Sequence, residues 1–112
     1  MRVYIAGPMR GIPDYNFPAF DDAAERLREA GYRPVNPADL DRAVGVDETT
    51  IPLPSGFLRQ AMERDLSAIC NCDAIALLPE WESSQGVAVE LSLARLLGLR
   101  IMDAVTLEEV VW

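Results

Sequence analysis

Residues 73–79, "DAIALLP", place five consecutive apolar side chains between Asp73 and Pro79. Neighbouring side chains of an extended chain point to opposite faces, so a strand built from this run must be covered on both. Such a strand belongs inside a parallel sheet flanked by helices. The rest of the chain alternates accordingly. "RVYIAG" (2–7) reads as a buried first strand ending in glycine, and "YRPVNP" (32–37) as a short second one. "RIMDAV" (100–105) supplies another. Between them, "FPAFDDAAERLREAG" (17–31) is an amphipathic helix with Phe20, Ala23, Ala24, Leu27 and Ala30 inward and Gly31 as its stop. "GFLRQAMERDLSAICNC" (56–72) and the segment that runs through "GVAVELSLARLLG" (86–98) are the next helices. Residues 38–56 lack periodicity and read as a structureless loop, a lid or binding segment. "TLEEVVW" (106–112) reads as a short helical tail.

Residues 1–112 are therefore expected to form a single α/β domain. Its architecture should be a flavodoxin- or Rossmann-like parallel sheet of four to five strands with helices on both faces. Ligands in such sheets bind beyond the carboxyl ends of the strands, at the point where strand order reverses. The loops at 7–16 and 79–86 should share that rim.

Composition narrows the chemistry. All ten basic residues are arginine, and the chain contains neither histidine nor lysine. Serine–histidine triads, histidine metal sites, Schiff bases and the P-loop lysine are excluded, which leaves carboxylates, tyrosines and thiols. Cys70 and Cys72 lack the further ligands of a zinc site and read as inert thiols, so no metal or cofactor is expected. A net charge of -8 disfavours nucleic acid and anionic membranes as partners. No apolar run approaches the roughly 20 residues needed to cross a bilayer, and no signal peptide opens the chain. The expected location is the cytoplasm.

Two carboxylates stand out by position. Winding residues 81–101 at about 100° per residue gathers Ser84, Gln85, Ala88, Ser92 and Arg95 on one side. Val87, Leu93, Ala94 and Leu97 gather on the other, with Glu90 near the middle of the apolar side. On the preceding helix Leu58, Ala61, Met62 and Ile69 form the inward stripe, and Asp65 lies on it while Arg59, Glu63 and Arg64 point away. A buried acid satisfied by an arginine or backbone donors explains either residue alone. Both together, on successive helices flanking one strand, point to a catalytic pair able to hold different protonation states. Cleavage of a glycosidic bond requires that division of labour. Desolvation should raise the Asp65 pKa, and an ionised Glu90 should raise it further.

The loop "GPMRG" contributes Gly7, Met9, Arg10 and Gly11, whose backbone N–H groups and guanidinium suit a phosphate, although a tight turn with a solvated arginine fits equally. Ser84 and Gly86 open the third helix, where free N–H groups bind an anion or Ser84 simply caps. Trp81 offers a stacking face for a nucleobase, or packing alone.

These pieces resemble a known family. "VYIAG", "PMRG" and "RDLSAICNCDAIALLPEWESSQGVAVELSLARLLGLRI" look like the nucleoside 2-deoxyribosyltransferase superfamily, closest to its small 2'-deoxynucleoside 5'-phosphate N-hydrolase-like branch. The most specific element is Ser84-x-Gly86-x3-Glu90. The resemblance implies Glu90 as nucleophile at the anomeric carbon, Asp65 assisting the leaving base and Tyr4 positioning Glu90. The strand-1 loop and Ser84 would hold a 5'-phosphate. It further implies a small-molecule nucleoside or nucleotide as substrate, and a homodimer or larger homo-oligomer. Pro8 stands where the phosphate-binding branch has a serine, so the need for a phosphate stays open, as does hydrolase against transferase. A non-catalytic nucleotide-binding or sensor module is the alternative, and a NAD glycohydrolase a third option that needs more room than 112 residues offer.

Overall fold

The computed structural model describes residues 1–110. Four strands form one wholly parallel sheet: β1 (Arg2–Ala6), β2 (Arg33–Val35), β3 (Ala74–Leu77) and β4 (Arg100–Asp103), in the order β2-β1-β3-β4. Four helices connect them: α1 (Phe17–Glu29), α2 (Pro37–Ala43), α3 (Phe57–Cys70) and α4 (Gln85–Leu96). The expected α/β class and parallel sheet are thus present, with four strands. None of the helices among the described residues is long and apolar enough to cross a membrane.

Alternation along the strands divides the core. Val3, Ile5, Ala74, Ala76 and Met102 pack against Phe17, Phe20, Ala23, Ala24 and Leu27 of α1. Their neighbours Tyr4, Ala6, Ile75, Leu77 and Ile101 face the other way, against Ile69 of α3 and Val87, Leu91 and Ala94 of α4. All four residues of β3 are buried, as its apolar run demands.

Three expectations change. Residues 38–56 are not structureless, because α2 occupies their start. Asn36 caps it by accepting from the Ala38 N–H at 3.0 Å, and Pro37 supplies the preset φ of a first helical residue. Seven residues are too few for periodicity to show such a helix. The tail is not helical over its described part. Asp103 turns the chain by accepting from Val105 and Thr106, and Met102 then bridges Glu109 in antiparallel fashion. That pairing covers part of the β4 edge, whose backbone groups would otherwise face solvent; the last two residues of the expected tail lie outside the described residues. Thirdly, Ala30, Leu58 and Leu97 are exposed rather than inward. Ala30 and Leu97 follow their helices as terminal caps, past the last turn that touches the sheet.

Sequence order reverses between β1 and β3, since β2 lies on the far side of β1. The two strands come very close there. A Cβ built on Gly7 would lie 2.7 Å from the Leu78 Cβ, a separation that side chains do not tolerate. The next turn is strained: Asp14, Tyr15 and Asn16 have φ of 58°, 53° and 61°. Two bonds hold it, one from the Asn16 amide to the Pro8 carbonyl at 2.9 Å and one from the Tyr15 hydroxyl to the Thr50 carbonyl. Gly7→Ala should therefore destabilise the protein by about 1–3 kcal/mol, the usual penalty of overpacking. Urea unfolding measures it, and an unchanged midpoint would show that the strand ends have room to part.

Candidate active site

A cleft of about 1200 Å³ opens at this reversal, lined by residues of the loops after β1 and β3, the segment before α3, and the facing sides of α3 and α4. Gly7, Met9, Arg10, Ser84 and Gly86 line it together with Asp65 and Glu90. The structure thus gathers residues far apart in sequence into one cavity.

Glu90 is the central feature. It sits on the buried side of α4 with Val87, Leu91 and Ala94, and is only 6% exposed. Its partner is Tyr4, from the middle of β1, whose hydroxyl donates to Glu90 Oε2 at 2.6 Å. Tyr4 is fully buried behind Glu90 and does not itself line the cleft. Burial pushes the Glu90 carboxyl up to about 8; the Tyr4 hydrogen bond pulls the other way and the charge of Asp65 adds to the rise. Tyr4 is itself held well above the usual phenol range, by burial first and then by the charges of Glu90 and Asp65. It therefore stays a hydrogen-bond donor throughout the working pH range.

Asp65 shares the cavity wall from α3. Its Oδ1 is buried and has no hydrogen-bond partner among the described residues. Burial raises its carboxyl to about 7, and the next contribution is the negative charge of Asp41; Arg64 and Tyr4 oppose both. The rise was expected, but the negative neighbour that adds to it is Asp41 rather than Glu90. Two acids so placed titrate as a pair that retains a proton near neutrality.

The apolar stripe of α3 has a different use from the one expected. Ile69 is buried in the sheet, whereas Leu58, Ala61 and Met62 line the cleft beside Asp65. An apolar helix face can be built for a ligand as readily as for the core, and periodicity does not distinguish them. Arg64 does not point away: it is half-buried and pairs with Asp41. Arg59 and Glu63 also border the cleft.

Ser84 caps α4, its Oγ accepting from the Val87 N–H at 3.3 Å. Gly86 lines the cleft between the helices, and a Cβ there would make an ordinary contact with the Met62 methyl at 3.6 Å. Gly11 is exposed and lies outside the cleft, its φ of 78° serving the turn. Trp81 is half-buried and packs against the α3/α4 side of the core rather than lining the cleft. Cys70 is exposed and Cys72 buried, both unpaired thiols, and neither borders the cleft. Among the described residues no group of three or more histidines, cysteines and acids could hold a metal ion. Sequence reasoning did not single out Asp41, Tyr15, Val46 and Leu53, although it set the 7–16 loop on the rim and read 38–56 as a lid or binding segment, and all four border the cleft. The adjacent Asn36 and Pro37 were a signal for the helix that carries Asp41.

No curated protein matches the chain. Among solved structures, a 2-deoxyribosyltransferase from the psychrotolerant bacterium Bacillus psychrosaccharolyticus is similar, with a TM-score of 0.66 at 18% identity. The likeness covers 91% of this chain and 70% of that one, and it speaks for the fold. A family described as a domain of unknown function, DUF4406, matches residues 1–103, from the start of the chain to the end of β4. Since that match takes in the whole sheet and every residue gathered around Glu90, the chain belongs to the DUF4406 family.

Proposed function

We propose that the protein cleaves the N-glycosidic bond of a nucleoside or a nucleoside 5'-monophosphate, with Glu90 as nucleophile. The observation that carries this is the Tyr4-to-Glu90 hydrogen bond of 2.6 Å at the edge of a cleft that also holds Asp65. A carboxylate buried only for stability would be matched by an arginine, and Glu90 has a neutral phenol instead. Such a site leaves the acid reactive and aimed.

In the first step a Glu90 oxygen bonds to C1' as the C1'–N bond breaks, and the electron pair leaves with the base. Asp65 passes its proton to that base, which neutralises the departing charge. Tyr4 holds the other Glu90 oxygen and fixes the line of attack. In the second step water adds to C1', Glu90 leaves, and the Asp65 carboxylate takes the proton released by the water. A second nucleobase in place of water would make a transferase. Water is favoured by the polar, phosphate-type character of the loop after β1, which carries Arg10. Met9, Arg10 and the α4 start would hold the sugar end, and Arg10 a phosphate if one is present. A binding module without turnover has no use for two acids whose proton affinities are raised to about 7 and about 8 in one cavity.

Incubation with a panel of nucleosides and 5'-monophosphates, followed by chromatography for free base, tests the proposal; no release from any of them would refute it. Glu90→Gln should abolish release while strengthening the fold. Glu90 ionises near 4.5 in an unfolded chain and at about 8 in the folded one. The unfolded state therefore loses this proton first as pH rises, so stability declines between those values and is level above them. Removing the ionisable group cancels the decline, so the variant should exceed the wild type by on the order of 2–4 kcal/mol at alkaline pH. The advantage should vanish near pH 4.5. A variant that is less stable at pH 9 would mean that the Glu90 charge is compensated in the fold.

The pair also predicts a bell-shaped pH profile, because the singly protonated form is the active one; the higher proton affinity of Glu90 keeps most of that proton on Glu90, and the arrangement that reacts is the smaller share in which Asp65 holds it. Asp65→Asn should remove the alkaline limb and lower kcat strongly for poor leaving bases, and far less for a base that departs without protonation. Equal losses on both substrates would reduce Asp65 to a structural role.

A further inference from the structure

Asp41 is a further buried carboxylate of the cleft, besides Asp65 and Glu90, and its surroundings differ from those of a structural acid. It lies on α2, is 4% exposed, and borders the cavity with Phe57, Leu53 and Asp65. Among the described residues its side-chain hydrogen bonding consists of one long contact, from Arg64 Nη2 to Oδ1 at 3.4 Å. The same molecule shows what a structural pair looks like. Arg42 grips Asp21 with two bonds, at 2.7 and 3.0 Å, on the partly exposed flank of α1. A carboxylate accepts about four hydrogen bonds, and burying one with a single weak donor is unfavourable unless something else supplies the rest. Arg64 compensates only in part: it pairs with Asp41 at 3.4 Å, lies over the Phe57 ring 5.7 Å from its centroid, and its Nε is buried without a partner among the described residues.

Position then indicates the missing donor. Asp41 and Asp65 line the same cleft, and the charge of Asp41 acts on the Asp65 carboxyl, so Asp41 stands near the group assigned to the leaving base. On the glycosidase proposal, the ligand atoms on that side belong to the base and not to the sugar. Loop residues Leu53 and Val46 complete an apolar surround that suits a planar ring.

Building on the glycosidase proposal above, we propose that Asp41 reads the base, its carboxylate accepting a hydrogen bond from an exocyclic amino group, so that amino-bearing nucleosides are selected over their keto counterparts. A keto oxygen at the same place would set acceptor against acceptor and leave the buried carboxylate unserved.

The experiment uses protein carrying Glu90→Gln, so that ligand survives, and compares cytidine with uridine and adenosine with inosine by calorimetry. The amino member of at least one pair should bind about 10- to 100-fold more tightly, as for a hydrogen bond to a charged group. Adding Asp41→Asn should shrink that ratio to about threefold or less, because an amide presents either a donor or an acceptor. Arg64→Gln, which leaves Asp41 in place, should keep the preference, and circular dichroism confirms that each variant is folded. Equal binding within both pairs overturns the assignment, as does a keto preference or no binding at all. A preference that survives Asp41→Asn, or one lost with Arg64→Gln, overturns it too. Base release by the wild-type protein is scored separately. Discrimination without release refutes the glycosidase and leaves Asp41 as the reader of a bound nucleoside.

Discussion

Everything at the rim of this sheet is arranged around a carboxylate placed where carboxylates are disfavoured. Glu90 occupies a core position of α4, and the Tyr4 hydroxyl beneath it is the partner that makes the position tolerable. The bond joins the middle of β1 to the helix after β3, so it depends on the two strands being neighbours, as they are. Tyr4 must also face the α3/α4 side, and strand alternation places it there together with Ala6. A shift of one residue in β1 would turn the phenol into the α1 core and leave Glu90 buried without a donor. Register, topology and acid are therefore one constraint.

The cleft lies where Leu58, Ala61 and Met62 of α3 face the start of α4 and the loops after β1 and β3. The cavity so formed is apolar with a few acids, the setting in which a carboxyl retains its proton near neutral pH. Strain is concentrated alongside. Three successive left-handed residues, Asp14 to Asn16, are fastened to Pro8 and to the segment before α3, which holds the β1 loop against the cleft.

Much of this could be read from the chain, and the failures share a cause. The apolar run around Ile75 announced a central strand, and Glu90 and Asp65 announced themselves by standing on stripes of the wrong polarity. Those signals come from short-range periodicity, which is independent of what lies opposite. What lies opposite was not legible. The stripe of Leu58 and Met62 looked like core because a ligand-facing wall and a core-facing wall have the same pattern. Arg64 looked solvated until α2 brought Asp41 to it, and α2 was too short to be seen. The tail looked helical by composition, but the open edge of β4 and the turn at Asp103 outweighed that weak preference. Trp81 read equally as a stacking face or as packing, and its position after β3 sets it against the core.

The central claim is that Glu90 forms a covalent bond to the sugar during base release. Intact-protein and peptide mass spectrometry, after a brief incubation with a nucleoside whose 2'-fluorine slows the second step, measures this directly. The account predicts a mass increase equal to one glycosyl unit, confined to the peptide that contains Glu90 and absent from Glu90→Gln. Base released with no adduct at any quench time, or an adduct on Asp65, would contradict it.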